Sequence, residues 1–289
     1  MRRAKSLPPA PAEVLRALAP LERLHYRLAW HFNQDPLKRF MALFQYSLGS
    51  IAIRSTTARR TRVFGMEHVA GTSLDRPLLL VANHRSYFDM FVVSSEVFRH
   101  TGIKRHLYFP IMGSHYYQTL TGIALNATVG FWSMFPPLFA NASHKDIDRH
   151  SLDLLVHLCS DAERTMVGIH PEGGRNLDPD VYTLRRVQPG TGRIIHAARP
   201  QVIPVFVVGL ENTFWRQVAA SWSAKDPIRI HFGRPIDLTS MYELPPKGST
   251  YKAITDVVMD RVRDLMEDDR ALYGQPAASL ASPPEPSTA

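Results

Sequence analysis

Cysteine is almost missing from the chain: Cys159 is the single one in 289 residues. No disulfide forms within the chain, and zinc sites built from several cysteines are excluded. Cys159 follows Leu158 on an apolar helical pattern, which makes it a small buried hydrophobe rather than a nucleophile. Long hydrophobic runs are missing too. The richest stretch, FWSMFPPLFA from Phe131, is short and broken by two prolines, well below the roughly 18 apolar residues of a spanning helix. The opening MRRAKSLPPAPAEV is basic but lacks the apolar segment of a signal peptide. These absences predict a protein of the reducing cytoplasm that lies peripherally on the inner face of the cell membrane. No G-x-S-x-G elbow occurs, which argues against a hydrolase with a covalent acyl-serine. Neither a G-x-G-x-x-G loop nor a Walker A loop occurs, and none of the 13 histidines falls in H-E-x-x-H. Neither a cofactor nor a metal is expected.

What is present is a core and a positive charge. Apolar residues make up 45% of the chain, and Lys plus Arg exceed Asp plus Glu to leave a net charge of +8. Such a balance favours anionic partners. Basic clusters interleaved with aromatics in an RNA-binding pattern are lacking, so no nucleic acid is expected. Anionic lipid headgroups and phosphorylated substrates remain.

The first 60 residues carry two helical patterns. Leu21, Leu24, Leu28 and Phe32 recur at helical spacing, with Arg23, Arg27 and His31 on another face. Asp35-Pro36 breaks the pattern, and Pro36 suits the first turn of a new helix. Leu37, Phe40, Met41, Phe44, Leu48 and Ile51 form its stripe, flanked by Lys38, Arg39, Arg54, Arg59 and Arg60. The pair reads as an amphipathic hairpin that packs on its own domain, rests on anionic lipid, or does both.

From Thr61 to residue 273 strand and helix alternate. Strands are predicted at Leu78 to Ala82, His106 to Phe109, Thr165 to Ile169, Val202 to Val208 and Ile228 to Phe232. Helices are predicted at Asp89 to Phe98, Lys145 to Ala162 and Gly190 to Ala198, with a last one through Ile254, Val258, Val262 and Met266. The fold class is therefore α/β, a mostly parallel sheet flanked by helices on both faces. The tail from Gly274 to residue 289 is small, polar and proline-rich, and reads as disordered.

Two polar blocks follow buried strands, where ligands of open α/β sheets bind. LLLVA runs into Asn83-His84-Arg85-Ser86-Tyr87-Phe88-Asp89. If the segment turns into a helix, Asp89 reaches the His84 imidazole, sets its tautomer and lets it take a proton from a hydroxyl. Chance supplies roughly one His–Asp pair at this spacing in such a chain, so the pair gains weight only from its place. TMVGI runs into His170-Pro171-Glu172-Gly173-Gly174-Arg175-Asn176. Its glycines allow close backbone approach to a ligand, and Arg175 can fork two anionic oxygens. Taken alone, this block is equally a turn with Glu172 and Arg175 as a surface pair.

Together the blocks resemble the glycerolipid acyltransferases typified by 1-acylglycerol-3-phosphate acyltransferase. Asn83, His84 and Asp89 match the family's first block. Pro171, Glu172, Gly173 and Arg175 match its third, and Val202-Ile203-Pro204-Val205 resembles its fourth. His170 stands where the family usually has Phe, and Gly174 where it usually has Thr. The second block, normally a Gly with an Arg a few residues on, is at best Gly130 to Phe135, without Arg.

The resemblance implies transfer of a fatty acyl chain from acyl-CoA or acyl carrier protein to a hydroxyl of a lyso-lipid such as 1-acylglycerol-3-phosphate. His84 would be the base and Asp89 its orienting partner. Glu172, Gly173 and Arg175 would bind the acceptor head, and aromatics between Tyr108 and Phe139 would line the acyl groove. The missing Arg leaves two options. Another Arg takes its place (Arg85 first, with Arg149, Arg185 and Arg186 as alternatives), or the head carries less charge. Acylation of another lipid-like acceptor and an inactive membrane-binding module are the rival readings.

Overall fold

The computed structural model describes residues 6–73, 75–101, 105–161, 165–212, 214–220 and 227–274. Ala162 and the tail beyond Gly274 lie outside them. Its centre is the run LLLVA, Leu78–Ala82, which is buried on both sides as a strand of a covered parallel sheet must be. Side chains alternate across it. Leu79 and Val81 join one core, while Leu78, Leu80 and Ala82 join the other.

Three short helices lead in: α1 (Ala12–Ala17), α2 (Pro20–Phe32) and α3 (Leu37–Phe44). A π-helical stretch, Gln45–Gly49, joins α3 to α4 (Ser50–Thr57). There follow β1 (Thr61–Phe64), α5 (Met66–Ala70), β2 (Leu78–Ala82), α6 (Asp89–Thr101), β3 (His106–Met112), α7 (Gly113–Tyr116), α8 (Leu120–Thr128) and β4 (Met134–Leu138). The second half runs α9 (Lys145–Asp161), β5 (Thr165–Ile169), α10 (Gly190–Ala198), β6 (Gln201–Val208), α11 (Phe214–Ala220), β7 (Ile228–Phe232) and α12 (Gly248–Tyr273). The seven strands lie in the order β1-β7-β6-β2-β5-β3-β4. Every pairing is parallel except β6 with β7. Helices α2, α9, α10 and α12 cover one face, and α5 and α6 the other. The expected mostly parallel sheet, flanked on both faces, is the fold.

Two strands were not legible in the sequence, and both are edges. β1 has only four residues. β4 contains Pro136 and Pro137, which lack an N–H and so suit a strand paired on one side alone.

The first 60 residues divide into two parts. Leu7, Val14, Leu18, Tyr26 and Ala29 belong to the main core. The buried face of α2 is Glu22, His25, Tyr26 and Ala29, whereas Leu24 of the expected stripe is 49% exposed. Partners far along the chain make that polar face buriable. Gln118 donates to Glu22 at 2.7 Å, the His25 ring stacks on Tyr117 at 3.8 Å, and Tyr26 Oη meets His150 Nε2 at 2.9 Å. The segment from Leu37 to Thr57 differs. Lys38, Ala42, Gln45 and Thr57 face inward, and Phe40 (52%), Leu43 (55%), Leu48 (57%) and Ile51 (65%) are exposed. No described helix is long and apolar enough to cross a membrane.

Candidate active site

β2 and β5 lie in parallel register, Leu80 opposite Gly168 and Val81 opposite Ile169, so the two polar blocks leave the sheet side by side. Gly168 leaves room for Met90: a Cβ there would collide with the Met90 side chain, so α6 sits close on the strand. Asn83 extends the sheet by one rung. Its amide donates to Val207 O at 2.9 Å and accepts from Val207 N at 2.8 Å, tying the end of β2 to β6. That role explains the asparagine, and sequence reasoning did not find it.

His84 and Asp89 come together as expected. His84 Nδ1 lies 3.0 Å from Asp89 Oδ2. The same oxygen accepts from Arg85 N at 2.7 Å and Ser86 N at 2.8 Å, so three N–H groups hold it at the start of α6. A carboxylate only accepts, so Nδ1 of His84 carries the hydrogen and Nε2 keeps the lone pair. The Asp89 side chain is 1% exposed and that of His84 20%. Burial pushes the Asp89 carboxyl up to about 6, against the lowering influence of His170 and of the Ser86 and Arg85 N–H groups. Burial, then the positive charges of Arg175 and Arg185, holds His84 down to about 4. At neutral pH the pair is therefore a carboxylate and a neutral imidazole, the resting state of a general base.

The third block stands on the other side of His84. Glu172, expected at the acceptor head, is buried and already engaged. Its carboxylate accepts from His84 N at 2.9 Å and from Arg185 N at 2.8 Å, so it clamps the two segments together. Gly173 is exposed at φ +66°, a conformation that favours glycine, and opens the turn after Glu172. The Arg175 guanidinium lies 3.6 Å over the Tyr87 ring, donating to Tyr87 Oη at 2.8 Å and Asn212 Oδ1 at 3.1 Å. Tyr87 Oη is also 3.3 Å from His115 Nε2. Tyr87, His115 and Asn212 thus join the site without having been singled out in the sequence. His115 and Asn212 were hidden by their distance from the blocks, and Tyr87, inside the first block, by its partner Arg175 lying 88 residues on.

Arg85 is less available than its place in the motif suggests, because its guanidinium donates to the carbonyls of Asp178 and Asp180. Arg149 is far more exposed, on α9 beside Asp146. Arg185 is nearer the chemistry: it donates to Arg175 O at 3.0 Å, and its charge reaches His84. A cavity of about 650 Å³ opens against this loop, lined by Arg60, Arg85, Asn176, Val181, Gly209 and Asn212 among others.

The segment Gly130 to Phe135 serves packing instead. Trp132 stacks on Phe32 at 4.8 Å, its carbonyl accepts from Asn33 at 2.7 Å, and Ser133 Oγ donates to Gln45 at 3.1 Å. Of the aromatics expected to line an acyl groove, Tyr108, Tyr117, Trp132, Phe135 and Phe139 are core.

Residues 59–208 match the model of the family described as Acyltransferase, just over half of the chain. A comparison with curated proteins returns no match. Among solved structures, the chain is similar to the crystal structure of the 1-acyl-sn-glycerophosphate (LPA) acyltransferase PlsC from Thermotoga maritima. The TM-score is 0.50 at 17% identity, over 84% of this chain and 87% of that one. At that identity the likeness speaks for the fold. The family match is stronger, because it begins just before β1, contains both polar blocks with the His84–Asp89 pair in the first, and ends with β6: the chain belongs to the Acyltransferase family.

Proposed function

We propose that the protein is an O-acyltransferase that moves a fatty acyl chain from acyl-CoA or acyl carrier protein to a lysophospholipid hydroxyl, with His84 as base. The observation that carries this reading is the His84–Asp89 pair, whose Nδ1 is spoken for at 3.0 Å, while Nε2 of His84, just beyond the end of β2, has no hydrogen-bond partner among the described residues. Nε2 takes the proton of the acceptor hydroxyl as its oxygen attacks the thioester carbonyl carbon. The C–S bond then breaks, and the leaving thiolate receives that proton from His84. Arg175 and Arg185 support an anionic acceptor head, with Arg175 already oriented by Tyr87 and Asn212. Glu172 supports the geometry from within rather than touching substrate.

The apolar face of α3 and α4 favours attachment to the bilayer. Four large side chains stand in solvent on one side of the segment, with Arg39, Arg54 and Arg59 along it. Such a face lies in the headgroup region of anionic lipid. Replacing Phe40, Leu43, Leu48 and Ile51 by Ser is expected to release the protein from anionic vesicles in a flotation assay, with its fold retained.

The deciding experiment is thiol release from acyl-CoA by the purified protein across a panel of lyso-lipids, with His84→Ala as control. Transfer by the wild type and none by the variant supports the reading. Equal rates in both would sink it.

A further inference from the structure

His170 is the residue through which β5 touches the proposed base. With Val81 opposite Ile169, it emerges from the sheet beside Ala82 and Asn83. Its Nδ1 lies 3.1 Å from the Ala82 carbonyl oxygen, so that nitrogen carries the hydrogen and Nε2 keeps the lone pair. The ring then lies face to face on His84, with centroids 4.1 Å apart and planes within 8°. Burial, and after it the charge of His84, holds the His170 pKa down to about 3. The ring is neutral wherever the His84–Asp89 pair is in its basic form.

Two neutral imidazoles in a stack gain little beyond dispersion. The balance changes once His84 takes the acceptor's proton. A cation over the π-face of a neutral ring is attracted to it, and that cation exists only along the reaction path, so the gain favours the transition state over the ground state. A charged His170 would do the reverse and set two positive rings 4.1 Å apart. Its hydrogen bond to Ala82 O meanwhile prevents the ring from turning in its plane.

We propose that His170 is a positioning residue for acyl transfer: its pinned, neutral ring holds His84 in line with Asp89 and stabilises the imidazolium formed there. The inference rests on the acyl-transfer reading. A metal reading of the same residues fares worse. Donor atoms of His84, Asp89 and His170 lie within 4.8 Å of one another, but an imidazole binds a metal in its own plane, and two stacked parallel rings do not share one. The other charged groups around His84 are Asp89 from α6, Glu172 on its main-chain N–H, neighbouring Arg85, and Arg175 and Arg185 from the segment after β5. All of them stay in place in the test.

The test compares the full-length wild type with His170→Leu, which removes the aromatic face, and His170→Phe, which keeps it without a titratable nitrogen. Steady-state rates are measured with acyl-CoA and the acceptor found in the lyso-lipid panel. Nitrogen-15 NMR of the histidines follows the His84 ring independently of turnover. His170→Leu is expected to lower kcat roughly ten-fold with both KM values nearly unchanged. The same variant should shift the acid limb of the rate profile, and the His84 titration by NMR, to lower pH. His170→Phe should stay within about three-fold of the wild-type kcat, because the π-face remains. A folded His170→Leu protein with wild-type kcat and an unmoved His84 titration overturns the proposal, and so does an effect confined to KM. If the wild type acylates nothing in the panel, the acyltransferase reading fails, and the NMR titration still decides the contact between the rings.

Discussion

His84 meets Asp89 through Nδ1 at 3.0 Å, and His231 meets Asp269 through Nε2 at 2.7 Å. Both carboxylates are buried, and both histidines are stacked on another ring, His84 on His170 and His231 on Phe64. The difference is what else reaches the carboxylate. Among the described residues Asp89 accepts only from neutral main-chain N–H groups besides the imidazole, and burial pushes it up to about 6. Asp269 is gripped by Arg229 through Nε at 2.7 Å and Nη2 at 2.9 Å, and by Tyr182 Oη at 3.0 Å. Burial opposes its charge, but hydrogen bonds from His231 and Arg229 outweigh that and bring it to about 2. His231 lies inside β7, whereas His84 stands beyond the end of β2. The same two residue types therefore form a strut where a guanidinium saturates the carboxylate. On the proposed reading they form a base where, among the described residues, no guanidinium bonds the carboxylate and the ring stands past the strand.

Alanine at each histidine gives the sharpest contrast. His84→Ala is expected to lower kcat by about 10²–10⁴-fold, the usual worth of a positioned base, with little change in melting temperature. His231→Ala should keep transfer within a few-fold and lose stability instead. Initial rates and thermal melts on both proteins check this, and comparable activity losses in the two would break the contrast.

The carboxylates should part in the same way. Asp269→Asn leaves Arg229 buried without its counter-charge, which costs about 3–5 kcal/mol in such settings; urea unfolding measures it. Asp89→Asn should cost far less stability but roughly 10²-fold or more in kcat, by releasing the tautomer of His84.

Acid should separate activity from stability. The folded pKa of Asp89 is raised, so its stabilising contribution is present at low pH and is lost as pH rises through about 6. That of Asp269 is depressed, so its contribution is present above the ordinary carboxylate value near 4 and is lost as pH falls towards about 2. Between pH 6 and 4 transfer should therefore collapse while the fold holds. Rates and melts across that window test it, and parallel losses would show that one unfolding event governs both.

How much of this was legible in the sequence follows from how local each signal is. Covered parallel strands announce themselves as apolar runs, and Leu78–Ala82 and Thr165–Ile169 were found residue for residue. The His84–Asp89 pair was legible because the hydrogen bonds to the Asp89 carboxylate span five residues or fewer. Glu172 was found but its use was not, since its partners, His84 N and Arg185 N, are decided by β2 and β5 lying side by side. The face of α2 was misjudged for the same reason. Glu22 and His25 look like solvent residues until Gln118 and Asn126 arrive from across the fold. The second His–Asp pair spans 38 residues and has no motif at all.

The smallest expected effect concerns the acceptor, where the missing second-block arginine left two options open. After burial, Arg175 and Arg185 lower the His84 pKa in the free protein, which keeps the imidazole neutral but also opposes the imidazolium that the proposed transfer requires. A bound phosphate beside these guanidinium groups would cancel that opposition. The acid limb of kcat, which reports the complex, should then lie at higher pH than that of kcat/KM, which reports the free enzyme. Arg175→Ala should raise the acceptor KM roughly ten-fold and leave the donor KM unchanged, the mark of lost ground-state binding. Arg185→Ala should act in the same direction. Arg85→Ala should do less, because the carbonyls of Asp178 and Asp180 already occupy its guanidinium. Lysophosphatidate and an uncharged monoacylglycerol, compared on the three variants, settle the choice. If the uncharged acceptor is used as well as the phosphate, and the arginine variants treat both alike, the head group carries less charge and these arginines serve the loop rather than the substrate.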